Sequence, residues 1–132
     1  MSIDDHIKNA VFSHTKTTKL LQDYVLFGEK SPEIIEKIGL TNNCDFGVWL
    51  ESTETLPFRQ KTNFEELKTL HTIYHNEVKR IAACIHNNDL NLARLLIRDK
   101  DYQQTLSQFI EVLFNFLDQV RKDEQYKNSK QR

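Results

Sequence analysis

Three histidines and one cysteine in this chain are spaced so that they could share one metal ion. His71 and His75 are four residues apart, so on a helix they lie on neighbouring turns of one face. His14 falls in the apolar stripe of an earlier helical segment, and Cys44 stands at the expected start of a short helix. Imidazole nitrogen and thiolate sulfur are ligands that tetrahedral zinc prefers, although this spacing is unlike that of a zinc finger.

Each of these residues also has an ordinary structural interpretation. Histidine pairs at this spacing are common on helix surfaces, and a single core imidazole is usually satisfied by a carbonyl or hydroxyl group. A free cysteine is most often a small buried apolar residue. His71 and His14, however, both occupy apolar positions, where an imidazole without a partner costs stability. Together with His75 they favour a shared ligand, and a helix N-terminus would favour the thiolate form of Cys44.

Helical geometry excludes the remaining histidines and the second cysteine from such a site. His86 returns to nearly the same face as His75 but lies about 16 Å further along the axis, and Cys84 points to about the opposite side. His6 lies about 12 Å from His14 along the first helix. We expect His6 in solvent, His86 as a cation at a helix C-terminus, and Cys84 in the core or at the surface.

The composition predicts one globular domain, residues 1–132, with no nucleic-acid or membrane role. A chain of 132 residues can bury a single core, and its formal net charge is −1. This balance gives no broad attraction to nucleic acid or anionic membranes, and no apolar run is as long as a membrane span. The first residues lack the basic and apolar regions of a signal peptide, which predicts a cytoplasmic location. Cysteines are reduced there, so a metal or redox role is favoured over a disulfide.

Apolar periodicity predicts helices and no strands in the first half of the chain. The first helix runs from Ile3 to about Phe27, ends before Gly28, and has a stripe of inward positions: Ile3, Ile7, Ala10, His14, Thr17, Leu21 and Tyr24. A short second helix is expected between Ser31 and Gly39. The pair Asn42-Asn43 would then cap a brief helix over residues 44–50. A polar loop with Pro57 follows over residues 51–61.

The second half of the chain predicts two further long helices. A capping box, Thr62 with Glu65 or Asn63 with Glu66, would open the first of them. Its inward face is Phe64, Leu67, His71, Tyr74, Val78, Ile81 and Ile85, and residues 87–89 form the turn after it. The inward face of the last segment is predicted at Leu92, Leu95 or Leu96, Tyr102, Leu106, Phe109, Leu113, Phe116 and Val120. The polar run over residues 98–101 is expected to kink or interrupt this helix. The predicted fold is an all-α antiparallel four-helix bundle whose short, broken second segment carries the cysteine.

These residues and their order resemble a known family, the chemoreceptor zinc-binding (CZB) domain. That family has a histidine in its first helix, a Cys-x-Phe/Leu-Gly-x-Trp motif, and a His-x-x-x-His pair in a later helix. The matching residues here are His14, the stretch Cys44-Asp45-Phe46-Gly47-Val48-Trp49-Leu50, and His71 with His75. The resemblance covers residues 5–121 and leaves 122–132 as a charged tail.

The resemblance implies a four-helix bundle with one zinc ion held by His14, Cys44, His71 and His75. Members of the family occur at the ends of chemoreceptors and of diguanylate cyclases, the enzymes that make cyclic di-GMP, and zinc or oxidants at the cysteine adjust their output. Some form homodimers. For this chain it implies a bacterial zinc or oxidant sensor that acts on such a signalling partner in trans, as a homodimer.

An enzymatic role is not expected. Four protein ligands would complete the tetrahedron of zinc and leave no position for a reacting water. The residue after His71 is Thr72, not the glutamate of zinc proteases, and the carboxylates of a di-iron site are missing at helical spacing from His14 and His75. Two other functions stay open: a structural-zinc adaptor without sensing, and a dimerisation module whose metal site is vestigial.

Overall fold

The computed structural model describes residues 2–27 and 44–130, and its regular structure there is entirely helical. No strand occurs in these two ranges, so the prediction of an all-α protein is confirmed. The predicted helix between Ser31 and Gly39, the helix end at Gly28 and the Asn42-Asn43 cap lie outside the described residues. None of the helices in the described part is long and apolar enough to cross a membrane.

Helix α1, Ile3–Phe27, presents one buried stripe to the rest of the protein. Its buried positions are Ile7, Ala10, His14, Thr18, Leu21 and Val25. The sequence analysis placed Thr17 and Tyr24 in this stripe, but both are only half-buried. The physical reason is the helical repeat of 3.6 residues, which moves the stripe one position forward relative to a strict 3.5-residue heptad pattern.

Two short helices follow the segment that is not described. Helix α2, Asp45–Leu50, begins directly after Cys44, one residue later than the predicted range 44–50, and buries Phe46, Trp49 and Leu50. The polar loop expected over residues 51–61 is wrong in part, because Thr53–Phe58 forms a 3₁₀ helix. Its turn is stabilised by the buried hydroxyl of Thr55, which lies 2.9 Å from the carbonyl oxygens of both Leu50 and Ser52.

Helix α3, Thr62–His86, has the inward face that its apolar periodicity predicted. All seven positions, Phe64, Leu67, His71, Tyr74, Val78, Ile81 and Ile85, are buried. The predicted capping box is wrong, because the N-cap is Lys61 and it makes no side-chain cap hydrogen bond. Lys61 instead pairs with Asp123 on the last helix, so a contact distant in sequence takes the place of the local one.

The turn and the interruption expected after α3 are both present. Asn88 has a positive φ of 61°, a conformation that asparagine tolerates better than most residues, and Asp89 caps the next helix by accepting a hydrogen bond from the backbone N–H of Leu92. Helix α4, Leu90–Arg98, then ends where Asp99 adopts an extended conformation. Helix α5, Lys100–Lys130, continues through most of the segment expected as a charged tail.

Helix α5 packs along both α1 and α3, and α4 packs against all three. The ion pair of Arg121 with Asp4 joins α5 to the start of α1. The buried side chains form two apolar clusters, and α1 and α3 contribute to both of them. On both helices, the residues before the predicted metal ligands belong to the first cluster and most of those after them belong to the second. These histidines therefore form a polar layer between two apolar halves of the core.

Candidate metal centre

The four residues predicted to bind metal lie together in the structure. His14 comes from α1, His71 and His75 come from α3, and Cys44 precedes the first residue of α2. Each offers one ligand atom, and these four atoms all lie within 4.8 Å of one another. The three histidines are buried and the cysteine is half-buried. Residues from three separate helical elements therefore converge on one small volume.

Three of the six distances between these atoms match the edges of a zinc tetrahedron, and all six lie within 4.8 Å. Zinc bonds of about 2.0–2.1 Å to nitrogen and about 2.3 Å to sulfur separate two nitrogens by about 3.3 Å and a nitrogen from the sulfur by about 3.6 Å. The Nε2 atoms of His14 and His75 are 3.3 Å apart. Cys44 Sγ lies 3.5 Å from His14 Nε2 and 3.6 Å from His71 Nε2. The donor set therefore fits a four-coordinate ion at its centre.

The second ring nitrogen of His14 fixes the orientation of that imidazole. Nδ1 lies 2.7 Å from the carbonyl oxygen of Ala10, which can only accept, so Nδ1 carries the proton and donates it. The hydroxyl of Ser13 is 3.2 Å from the same nitrogen. Nε2 is left with its lone pair directed toward Cys44 and His75. Such outer contacts are a regular feature of metal-binding histidines because they select the tautomer.

Burial keeps two of the imidazoles uncharged at neutral pH. Desolvation lowers the pKa of His14 to about 4, and the hydrogen bond to Ala10 offsets part of the effect. Desolvation likewise lowers the pKa of His71 to about 2, and His75 and His14 add to the shift. Neutral imidazole is the form that binds a metal ion, so neither residue has to lose a proton at pH 7 before it can act as a ligand.

Cys44 differs from its prediction in one respect. We expected the helix N-terminus to favour the thiolate, but burial raises the pKa of this thiol above its usual value. The backbone N–H groups of Gly47 and Phe46 oppose that effect without overcoming it. Helix α2 has only six residues, so its dipole is small, and Cys44 packs against the first apolar cluster. A bound cation would reverse the balance, because a coordinating thiol is deprotonated.

Two phenylalanines close the site against water. The ring of Phe109 on α5 lies 5.0 Å from the ring of His14 and 5.5 Å from that of His71. Phe46 on α2 contacts the same two imidazoles edge-on, at 6.2 Å and 5.2 Å between ring centres. Apolar walls of this kind lower the local dielectric and strengthen interactions between an ion and its ligands.

The residues excluded by helical geometry indeed lie outside this cluster. Cys84 is half-buried beside the second apolar cluster, and His86 is exposed in the last turn of α3. The expectation that His6 is in solvent is wrong. Its ring stacks on Trp49 at 4.7 Å, and its Nε2 lies 3.4 Å from a carboxylate oxygen of Glu54. The indole offers this imidazole a large apolar surface, and stacking on it removes the ring from water.

Sequence reasoning did not identify a group of buried hydroxyls next to the ligands. Tyr74 Oη donates a hydrogen bond of 2.9 Å to the carbonyl oxygen of His14. Thr18 Oγ1 is 3.0 Å from that hydroxyl and accepts a bond of 3.2 Å from Tyr102 Oη. Desolvation raises the pKa of both tyrosines, so their hydroxyls remain protonated donors. The one available signal was that Tyr74 occupies an inward position, where a phenolic hydroxyl needs a partner.

Neither protein-family models, nor curated proteins, nor solved structures match this chain significantly. The donor set and its geometry are therefore the basis for assigning a function.

Proposed function

We propose that this protein is a zinc-binding regulatory domain of the CZB type, in which His14, Cys44, His71 and His75 hold one zinc ion. The observation that carries the proposal is the agreement between the donor-atom distances, 3.3, 3.5 and 3.6 Å, and the edges of a zinc tetrahedron. The antiparallel four-helix bundle of that family is the proposed architecture. It is supported by the contacts that join opposite ends of α1 and α5, Asp4 with Arg121 and Thr18 with Tyr102.

Zinc in this site would act as a clamp and not as a catalyst. Four protein ligands complete its usual coordination, so no position remains for a reacting water or substrate. His14 and the pair on α3 would hold the ion from two long helices, and Cys44 would add the short α2 to them. We therefore propose that the protein has no enzymatic activity and that the ion controls the position of α2.

A sensing role follows from the unequal placement of the ligands. The histidines are almost completely buried, whereas Cys44 is half-buried and stands directly before the six-residue helix α2. Transfer of OH from hydrogen peroxide or hypochlorous acid to Cys44 Sγ breaks the O–O or O–Cl bond and releases hydroxide or chloride. It would oxidise the thiolate to sulfenic acid and remove one ligand. Loss of zinc would have the same consequence. Either event would free α2 from the clamp, and a partner could recognise that change.

The partners we propose are a chemoreceptor or a cyclic-di-GMP signalling protein of a bacterial cytoplasm, with a second copy of the chain. The proposal of a signalling partner rests on the family resemblance alone. A homodimer is supported by exposed aromatic side chains, since Phe12 is 69% and Phe114 50% exposed. The net charge of −1 gives no support for nucleic acid as a partner.

Zinc content tests the ligand assignment directly. The purified protein is expected to contain about one zinc ion per chain, because the four donors form one closed site. Cys44→Ser is expected to weaken zinc binding at least about tenfold, since a hydroxyl is a poor replacement for a thiolate. Cys84→Ser is the matched control, because this second free cysteine lies outside the cluster. Equal zinc retention in the two variants would contradict the assignment.

Zinc binding at pH 7 is expected to release one to two protons per ion, one from Cys44 and up to one from His75. The pKa of the Cys44 thiol is raised by burial, so the thiol is protonated before binding and must lose its proton to coordinate. His14 and His71, whose pKa values are about 4 and about 2, are already neutral and release none. Isothermal titration calorimetry in buffers of different ionisation enthalpy measures this number. Release of more than two protons would show that His14 or His71 is charged before binding, and this would contradict the preformed site.

A second function, a structural-zinc adaptor without sensing, is favoured by one observation. His14, His71 and His75 lie in the middle of the core, between the two apolar clusters. If the ion is needed for folding, chelation should abolish the helical circular-dichroism signal. If the protein is a sensor, chelation should be reversible and leave most of that signal intact.

A further inference from the structure

Tyr74 links the two helices that carry the histidine ligands. It stands on α3 directly before His75, its side chain is fully buried, and its hydroxyl crosses to α1. There it donates a 2.9 Å hydrogen bond to the backbone carbonyl of His14 itself. A tyrosine beside one ligand thus holds the main chain of another ligand on a different helix.

The hydroxyls around this bond can be ordered into one directed chain. Tyr102 Oη donates to Thr18 Oγ1, which leaves the single proton of Thr18 for another acceptor. Tyr74 Oη, 3.0 Å away, is the nearer acceptor, since the His14 carbonyl is 3.2 Å from Thr18 Oγ1. The order is then Tyr102 to Thr18 to Tyr74 to the His14 carbonyl. Each hydroxyl in the middle accepts one bond and donates one, so the bonds strengthen one another.

These hydrogen bonds connect α1 to α3, two helices that pack only weakly against each other. Helix α1 packs mainly on α5 and α4 and has little direct contact with α3. His14 must nevertheless be placed accurately against His75, with their Nε2 atoms 3.3 Å apart. A shift of α1 by one residue would move His14 by about 1.5 Å along the helix axis. Such a shift would break both the Tyr74 bond and the tetrahedral spacing.

We propose that Tyr74, supported by Thr18, is a positioning residue that sets the register of α1 against α3 and so forms the metal site before the ion arrives. This inference rests on the proposed zinc binding. It assigns a role to a residue that does not itself contact the ion. A preformed site binds more tightly because the helices do not have to be ordered when the metal enters.

The test compares two tyrosines of the same chain. Tyr74→Phe removes the donor to His14, and Tyr102→Phe removes the hydroxyl at the far end, while both keep a buried ring. Zinc affinity is measured by competition with a chromophoric chelator, and Co²⁺ in place of zinc reports the ligand geometry through its visible absorption. Tyr74→Phe is expected to weaken zinc about 10–100-fold and to change the Co²⁺ spectrum. Tyr102→Phe is expected to have a clearly smaller effect on the spectrum and the affinity, because its hydroxyl reaches the His14 carbonyl only through Thr18 and Tyr74.

A second pair of variants keeps the test decisive if Tyr74→Phe folds poorly. Thr18→Val removes the middle hydroxyl and should weaken zinc, whereas Thr18→Ser keeps the hydroxyl and should restore the affinity. A purely structural role would lower the thermal stability of Tyr74→Phe and Tyr102→Phe alike without separating their Co²⁺ spectra, and that result would overturn the proposal. If the unmodified protein itself binds no zinc, the proposed function fails first. If it binds zinc and Tyr74→Phe binds equally well, only the positioning role fails.

Discussion

Zinc at about a thousandfold excess over its dissociation constant is expected to raise the melting temperature by more than about 10 °C. An ion that binds only the folded chain at this excess contributes about 4 kcal/mol to the free energy of unfolding. The four ligands come from α1, α3 and the start of α2, so no short unfolded segment can reproduce the site. Thermal unfolding followed by circular dichroism over a series of zinc concentrations measures the effect.

Two histidines of α3 provide the matched variants for this measurement. His75→Gln removes a ligand, whereas His86→Gln changes an exposed residue of the same helix that lies outside the cluster. We expect the zinc-induced shift to be mostly lost in His75→Gln and unchanged in His86→Gln. The readout is the difference between zinc-loaded and zinc-free protein, so a lower starting stability of either variant does not affect it. A melting temperature independent of zinc would refute the clamp.

The zinc-free protein is expected to lose about 4 kcal/mol of stability between pH 7 and pH 5. His14 and His71 have pKa values of about 4 and about 2 in the folded chain, below the ordinary value of 6.5. Below pH 6.5 the unfolded chain therefore binds protons that the folded chain does not. Stability falls as the pH falls, and the contribution of His14 stops changing below about pH 4. Each residue accounts for about 2 kcal/mol at pH 5.

Urea unfolding of the zinc-free protein at a series of pH values checks this expectation. His71→Leu should remove about half of the pH dependence, because the remaining part belongs to His14. A stability that stays constant over this range would mean that the imidazoles are not buried as described.

The cluster of His14, Cys44, His71 and His75 could be predicted because the chemistry of these residues and their helical positions were both visible in the sequence. His71 interrupts a series of apolar residues at inward positions, and an imidazole there needs a partner. His75 lies four residues after His71 and therefore on the same face of the helix. His14 lies in the apolar stripe of the first helix, so both helices were expected to direct histidines toward the same point in the core. The same periodicity identified seven buried positions of α3 correctly, because a long amphipathic helix leaves little choice of register.

Contacts between residues far apart in sequence could not be predicted in this way. His6 was expected in solvent because nothing near it in the sequence suggests a partner, yet Trp49 lies against it. Burial of Cys44 in the folded protein raises the pKa of its thiol. The helix start next to it in the sequence had suggested a lowered pKa. The N-cap of α3 is likewise Lys61, whose partner Asp123 is 62 positions away in the sequence.

The stacking of Trp49 on His6 also gives the protein its own optical reporter. The chain contains one tryptophan, and it lies on α2 with its ring 4.7 Å from an imidazole of α1 and 5.6 Å from Phe46. All indole fluorescence therefore originates on the element proposed to move, and its contacts with His6 and Phe46 would be lost when that element undocks. Undocking of α2 can be timed in the natural sequence, without an attached dye.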